Sequence, residues 1–292
     1  QRKLVQDKIE QLQLVERAIQ DTSKAIEEEH SVNWSQMLKL IHLTGMEKSM
    51  KNQYQNASNI SARIQLHNKY STNTQGWFPW IFDQCHMAEH STVLEIGCGD
   101  GSLWLENKEK IPKQLHVVLS DISEGMLRDT RRAIHANVKT SRFDFQVFDC
   151  ERIPYPDNSF DLVIANHILF YCKNLTSVFE EISRVLKTGG TFVCSTYGAA
   201  HMKEINELVS EFDDRIVLSA DRLFERFGKE NGADLLAPYF QNIKWLSYED
   251  SLHVTEPETL ISYVLSCHGN QNQYIIDHYK EFRNYVRKKN RR

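Results

Sequence analysis

Residues 93–104 read VLEIGCGDGSLW and point to the fold most directly, because a short apolar run and one acid lead into glycine at every second position. The apolar run predicts a buried strand. Alternating glycines suit neither a strand nor a helix, but they allow the positive φ angles of a tight turn. The residues from Ser102 onward predict a helix, so the pattern is strand, glycine turn, helix.

The same alternation continues downstream. The predicted strands are TVLEI (92–96), HVVLSD (116–121), FDFQVFD (143–149), FDLVIA (160–165) and TFVCST (191–196). The predicted helices are SLWLENKEKI (102–111), SEGMLRDTRRAIHAN (123–137), which Ser123 caps, and LTSVFEEISRVLK (175–187), which Gly189 and Gly190 stop. Strands separated by such helices predict an α/β, Rossmann-like fold with a parallel sheet and helices on both faces.

The first 45 residues have a different pattern. Apolar residues recur every seven positions at Val5, Leu12, Ile19 and Ile26. This spacing predicts a long helix that either forms a coiled-coil dimer through residues 1–45 or packs on its own domain, and we favour the dimer. Because the chain begins with glutamine rather than methionine, we expect further sequence upstream.

Residues 46–292 are predicted to form one domain with four parts. These are a helical arm or lid (46–90), a ligand-binding core (91–200), a helical insertion (201–240), and last strands with a C-terminal helix (241–292). The stretch NIKWLSYEDSLHVTE (242–256) predicts two late strands around a turn, which could form an antiparallel edge.

The composition narrows the functional classes. The net charge of −4 gives no general attraction to nucleic acid, and we interpret the basic stretch 280–292 as a solvated helix end. The six cysteines form no C-x-x-C pair, so neither a metal site nor a disulfide framework is indicated, and we expect a cytoplasmic protein. No apolar run approaches the ~20 residues that span a bilayer, so no membrane segment is expected.

The glycine turn excludes two common ligands. A phosphate-binding loop needs a lysine directly after its last glycine, and here the first lysine is Lys108. A dinucleotide turn needs its third glycine at position 102, which is serine, and this disfavours a nicotinamide dehydrogenase. Glu95 before Gly97 would repel a pyrophosphate but suits a cation. The turn therefore favours S-adenosyl-L-methionine, a nucleoside with an ammonium and a sulfonium.

Two further acids end predicted strands. Asp121 ends the second strand, where a carboxylate can accept from both ribose hydroxyls. Asp149 ends the third strand, where it could accept from the adenine amine while Cys150 offers its backbone N–H. Each acid alone could simply cap the following helix. Three acids at the ends of three strands together favour a nucleoside site.

With these residues in view, the sequence resembles the class I S-adenosylmethionine-dependent methyltransferases of the small-molecule branch. The resemblance covers residues 91–200 and is carried by VLEIGCGDG, LSDIS, the acid in VFDCERIPYPDNSFDLVIANHILFY, and EISRVLKTGG. It implies a seven-stranded sheet whose last strand is antiparallel. It also implies cofactor contacts from Glu95, Gly97, Gly99, Gly101 and Asn166 to the methionine part, from Asp121 and Ile122 to ribose, and from Met126, Asp149 and Cys150 to adenine.

The sequence departs from the DNA amino-methyltransferases, because Asn166 is followed by His167 and Ile168 instead of two prolines. The N-terminal helix with NWSQMLKLIHLTGMEKS (33–49) is similar to the C-terminal dimerisation segment of MerR-type regulators. That similarity implies a DNA-binding head upstream of Gln1.

The methyl acceptor is not named by any motif. His167, after the fourth strand, is the candidate general base, with a structural histidine as the alternative. Tyr70, Trp77 and Tyr171 are candidate acceptor contacts, and Tyr70, Trp77 and Trp80 could close as a lid or simply pack. The leading hypothesis is a small-molecule methyltransferase. The alternatives are a cofactor-sensing module of a MerR-type regulator and, against the acidic net charge, an RNA methyltransferase.

Overall fold

The computed structural model describes residues 66–139, 141–219, 222–267 and 269–289. The predicted coiled coil and the MerR-like segment therefore lie outside the described residues. The described chain divides into two compact units, one of residues 66–201 and 222–253 and one of residues 202–219 and 254–289.

The first unit is built on a parallel sheet, which confirms the α/β class. Its strands are β1 Thr92–Ile96, β2 His116–Asp121, β3 Arg142–Val147, β4 Phe160–Asn166 and β5 Leu186–Ser195. They lie in the order β3-β2-β1-β4-β5, and every neighbouring pair is parallel. All five carboxyl ends therefore meet at one edge, where ligands bind in open α/β sheets.

Helices connect these strands and form the second unit. In chain order they are α1 Trp77–Gln84, α2 Ser102–Leu105, α3 Glu124–Asn137, α4 Leu175–Val185, α5 Lys203–Phe212, α6 Leu223–Arg226, α7 Gly232–Leu236, α8 Pro257–Ser266, α9 Gln271–Ile275 and α10 Tyr279–Lys289. The predicted cap is confirmed, because the Ser123 side chain accepts from the Met126 N–H at 3.2 Å.

The strands are buried on both faces, as parallel strands require. On β1, Val93 belongs to one apolar cluster with Trp104, whereas Leu94 belongs to the opposite cluster with Phe179. The two clusters thus fix β1, with its following glycine turn, in the middle of the sheet.

The expected seventh, antiparallel strand is wrong: within the described residues the sheet has five strands, and 242–256 contribute only an isolated bridge between Ser71 and Leu252. The polar groups of this stretch bind the arm instead. Asp250 Oδ1 accepts from the backbone N–H groups of Thr72 and Asn73, both at 3.1 Å. Because Trp245 remains 42% exposed, the stretch also lacks the alternate burial of a strand.

Two predicted boundaries also differ. The helix after the glycine turn ends at Leu105, because the Asn107 side-chain amide donates to the Leu103 and Phe78 carbonyls and so replaces the helical pattern. The helix expected to run to Lys187 ends at Val185, and Gly189 lies inside β5.

The second unit has its own apolar core, which includes Val264, Ile275 and Phe282. Its basic α10 is tied to acids of the same unit, since Arg283 donates to Glu258 at 2.9 Å and Tyr285 donates to Glu211 at 3.0 Å. In neither unit, as far as the structure describes them, is a helix long and apolar enough to cross a bilayer.

Candidate functional site

The glycine turn lies at the carboxyl end of β1 and takes a left-handed path. The φ angles of Gly97 and Gly101 are 69° and 78°. A Cβ on Gly97 would lie 2.4 Å from Ile168 Cγ2, and one on Gly101 would lie 2.7 Å from Thr130 Cγ2. At these two positions the missing side chain makes room for the protein's own residues Ile168 and Thr130.

Asp121 holds the turn from the neighbouring strand. Its Oδ2 accepts from the Gly99 N–H at 3.2 Å, and its Oδ1 accepts from the Ser123 N–H at 2.8 Å. Burial raises the pKa of Asp121, while these backbone donors lower it. Each carboxylate oxygen keeps lone pairs that could accept from a ligand hydroxyl.

Glu95 is a buried carboxyl rather than an open one. Its side chain is 2% exposed, and Oε2 accepts from the Trp104 indole N–H at 2.6 Å. Burial raises the pKa of Glu95 to about 8, and the nearby charges of Asp100 and Asp121 push it in the same direction. Glu95, Asp100 and Asp121 thus lie around the turn, and a bound cation there would favour the ionised form of Glu95.

The residues predicted at the nucleoside are split between surface and interior. Ile122 is 64% exposed and offers an apolar surface beside Asp121, whereas Met126 is 0% exposed. Contact of Met126 with a base therefore stays a prediction that requires the site to open. Asp149 is exposed and accepts from the Glu151 N–H at 3.0 Å, and Cys150 Sγ lies 3.4 Å from Cys172 Sγ.

At the end of β4, Ser195 from β5 links the two predicted residues. Its hydroxyl donates to Asn166 Oδ1 at 2.6 Å and accepts from the His167 N–H at 2.9 Å. His167 has a φ of 55°, and its ring centroid lies 4.9 Å from that of Trp77. Burial, with smaller effects from His201 and His67, lowers the pKa of His167 to about 4. The imidazole is therefore neutral at pH 7, and a weak base.

The arm and the stretch 242–256 together form an aromatic wall, defined here as Trp77, Trp80 and Tyr248. Ring centroids are 5.5 Å apart for Trp77 and Trp80, and 5.3 Å apart between Tyr248 and each tryptophan. Tyr248 is not among the residues predicted from the sequence, because the pattern of its stretch predicts strands. Its only signal was an aromatic residue within an apolar segment.

The other two predicted acceptor contacts lie differently. Tyr70 is 5% exposed, and its carbonyl accepts from the His253 N–H at 2.8 Å. Tyr171 packs edge-on against Phe170, with ring centroids 4.6 Å apart. The structure therefore brings Trp77 to His167, with Trp80 against Trp77, whereas contact of Tyr70 and Tyr171 with an acceptor stays a prediction.

The acids and the exposed Ile122 fit the charge and shape of S-adenosylmethionine. A carboxylate at the strand end suits ribose hydroxyls, an exposed apolar residue suits a flat base, and an acid cluster suits a sulfonium and an ammonium. Among the described residues no group of three His, Cys, Asp or Glu side chains is placed to hold a metal ion.

Comparison with known proteins agrees with this geometry. Residues 94–194 match the model of a methyltransferase domain. The demethylmenaquinone methyltransferase of Symbiobacterium thermophilum is 32% identical over 118 residues, which is 40% of this chain and 47% of that protein. The malonyl-[acyl-carrier protein] O-methyltransferase of Nitrosospira multiformis is 30% identical over 135 residues, covering 42% of this chain and 44% of that protein.

Among solved structures, phosphoethanolamine N-methyltransferase 2 of Haemonchus contortus in complex with S-adenosyl-L-methionine superposes with a TM-score of 0.47 at 21% identity. The superposition covers 65% of this chain and 42% of that chain. The present chain spans about half the length of the curated relatives that it matches. Residues 94–194, which contain the glycine turn and Asp121, are therefore similar to a methyltransferase domain.

Proposed function

We propose that this protein is an S-adenosylmethionine-dependent methyltransferase that acts on a small-molecule acceptor. The observation that carries the proposal is the crowding of Glu95, Asp100 and Asp121 around a glycine turn at the carboxyl end of β1. A cationic nucleoside favours the ionised form of these acids, whereas a pyrophosphate would be repelled by those that are charged. The match of residues 94–194 to a methyltransferase domain supports the same cofactor.

When bound, S-adenosylmethionine supplies an activated methyl group on a positively charged sulfur. The protein then has to bind and orient the two reactants and exclude water from them. Asp121 would accept from the ribose hydroxyls, Ile122 would cover the base, and Asn166 would lie beside the methionine part. Alignment of two reactants can lower a barrier by ~7–11 kcal/mol, so positioning alone accounts for much of such a catalyst's effect. His167, which stays neutral at pH 7, could take a proton from the acceptor at a ring nitrogen.

A small acceptor is favoured by the aromatic wall and by the net charge of −4. Flat aromatic surfaces suit small apolar rings, whereas an RNA substrate would require a basic face. The relatives are named for methylation of demethylmenaquinone and of a malonyl-carrier protein, so both small rings and carrier-bound chains are within reach of similar domains.

Titration calorimetry with S-adenosylhomocysteine and with NADH tests the proposal. We expect saturable heat with the first compound and no comparable heat with the second. The reverse result would refute the assignment of the glycine turn.

Asp121→Ala should weaken S-adenosylhomocysteine binding by about 1–3 kcal/mol through the lost ribose hydrogen bonds. Asp144→Ala is the matched control, because this acid lies within β3, where it pairs with His116 at 2.7 Å.

Only the sequence supports a proposal for the oligomeric state and the cellular location. We propose a homodimer through residues 1–45 and a cytoplasmic location, with a MerR-type, cofactor-sensing regulator as the alternative role. Removal of residues 1–40 should convert a dimer to a monomer in light scattering. A monomeric full-length chain would end the dimer proposal, and a helix-turn-helix upstream of Gln1 would favour the regulator.

A further inference from the structure

We propose that the aromatic wall and His167 select a neutral, planar ring that carries a hydroxyl group, bound through the Trp77 indole N–H and a ring nitrogen of His167. The inference deepens the proposed function, on which it depends, by naming the chemical class of the acceptor.

The first supporting observation is an indole donor without a partner. Trp77 Nε1 is buried from solvent and makes no hydrogen bond within the described part of the chain. An unpaired buried N–H is costly, so such groups are rare in native structures unless a ligand satisfies them. The group that Trp77 requires is a hydrogen-bond acceptor, and an oxygen atom on a ligand would supply it.

The second observation is the state of His167. Its ring centroid lies 4.9 Å from that of Trp77 at an interplanar angle of 33°, so the two rings pack against each other. Its side chain makes no hydrogen bond to the residues that the structure describes, although its backbone N–H is fixed by Ser195. A neutral imidazole offers one nitrogen as an acceptor. A hydroxyl satisfies both groups at once, since its oxygen accepts from the indole while its proton is donated to the imidazole.

The charge of the wall disfavours ionic ligands. Its members are two indoles and a phenol, and the neighbouring imidazole of His167 is neutral. The carboxylate whose charge acts on Tyr248 belongs to Asp250, and its Oδ1 already accepts from Ser71 Oγ at 2.8 Å and from the Ser251 N–H at 2.8 Å. A cationic ring would therefore find the Asp250 carboxylate already engaged in hydrogen bonds to the protein. An anionic ring would lose its hydration at the wall without gaining a positive partner.

The position next to the glycine turn connects this wall to the methyl donor's site. Ile168, which follows His167, fills the space that the missing Cβ of Gly97 leaves. A ring held on His167 is therefore adjacent to the turn. In the transfer, the hydroxyl oxygen forms a bond to the methyl carbon, the electron pair of the broken carbon–sulfur bond stays on sulfur, and the hydroxyl proton passes to His167.

The test measures binding to the full chain saturated with S-adenosylhomocysteine, using four bicyclic aromatic probes in calorimetry. The probes are 2-naphthol, its methyl ether 2-methoxynaphthalene, the anion 2-naphthoate and the cation N-methylquinolinium. We expect 2-naphthol to bind roughly tenfold more tightly than each of the others, because only it can donate to His167 and accept from Trp77 without carrying a charge.

Trp77→Phe keeps an aromatic ring but removes the N–H, so it should weaken 2-naphthol binding roughly tenfold and leave S-adenosylhomocysteine binding unchanged. Trp245→Phe is the matched control, because that indole is 42% exposed and outside the wall, and it should change neither affinity.

Tighter binding of the ether, the anion or the cation would overturn the inference, as would equal binding of all four probes or none, while the proposed function would stand if S-adenosylhomocysteine still bound. Absence of S-adenosylhomocysteine binding would overturn both. If Trp77→Phe does not fold, the comparison of probes on the unmodified chain decides by itself. His167→Asn then provides the second variant, because asparagine tolerates the left-handed φ, and it should lose the preference for the hydroxyl over the ether.

Discussion

Glu95 shows how a single residue acquires its chemistry from its surroundings. Its place before Gly97 predicts an anion aimed at a cation, but in the structure it is buried against Trp104 and its pKa is raised to about 8. His167 differs from its expectation in a similar way, because its pKa is lowered to about 4, far from the value near 7 that suits a general base. For both residues burial is the largest cause.

The titration of Glu95 gives a prediction with a definite sign. Below pH 8 the carboxyl is neutral, and as the pH rises through about 8 it becomes an anion that attracts the sulfonium. The affinity of S-adenosylmethionine relative to S-adenosylhomocysteine, which lacks that charge, should therefore rise between pH 6.5 and 9, by roughly tenfold for each ~1.4 kcal/mol of attraction. Calorimetry with both compounds across this range measures the ratio.

Glu95→Gln is the control for this effect. Glutamine keeps an oxygen that can accept from the Trp104 indole but has no charge to gain, so the affinity ratio should not change with pH. A ratio that is already independent of pH in the unmodified protein would remove Glu95 from the cofactor site.

At the scale of elements, two independent features require glycine in the turn. Its φ angles favour glycine, and side chains from α3 and from the segment after β4 occupy the space where a Cβ would lie. The stretch 242–256 gives the opposite lesson. Its alternating apolar residues predict strands, but the hydrogen bonds of Asp250 to the arm hold it in another path. The local sequence pattern predicts the backbone conformation correctly where tertiary packing favours the same conformation. It fails where hydrogen bonds from a side chain hold the backbone in a different one.

Two glycine variants separate the cost of a positive φ from the cost of placing a Cβ in a filled space. Gly97→Ala should cost about 1–2 kcal/mol for its positive φ and a further ~1–3 kcal/mol for the overlap with Ile168. Gly189→Ala should cost only the first amount, because Gly189 has a φ of 81° but no atom lies within 4 Å of the place where its Cβ would be. Urea unfolding of both variants measures the difference. Equal losses of stability would show that the contact with Ile168 relaxes freely.

At the scale of the whole molecule, the candidate site is confined to one of the two compact units. Every residue assigned to the cofactor, from Glu95 to Asn166, lies in the unit of 66–201 and 222–253, and so does the aromatic wall. The other unit is helical, has a separate core, and uses its acids to pair the basic residues of α10. Binding of the cofactor should therefore depend on the first unit's core alone.

Substitution of one buried phenylalanine in each unit tests this division. Phe282→Ala, in the helical unit, should cost ~3–5 kcal/mol of stability yet leave the S-adenosylhomocysteine affinity within about twofold at a temperature where the chain is folded. Phe179→Ala should cost a similar amount and lower the temperature at which binding is lost, because Phe179 belongs to the core behind β1. Loss of binding in Phe282→Ala alone would contradict the division.

The order of residues along the chain is enough to specify the parallel α/β core, the cap at Ser123, the turn at Gly97 and the acid at the end of β2, because each follows from periodicity or from backbone geometry within a few neighbouring residues. Only the folded chain sets the number of strands, the protonation of Glu95 and His167, and the gathering of Trp77, Trp80 and Tyr248 at one wall. These properties depend on desolvation and on contacts between residues as far apart as 77 and 248, and neither quantity is encoded in local spacing.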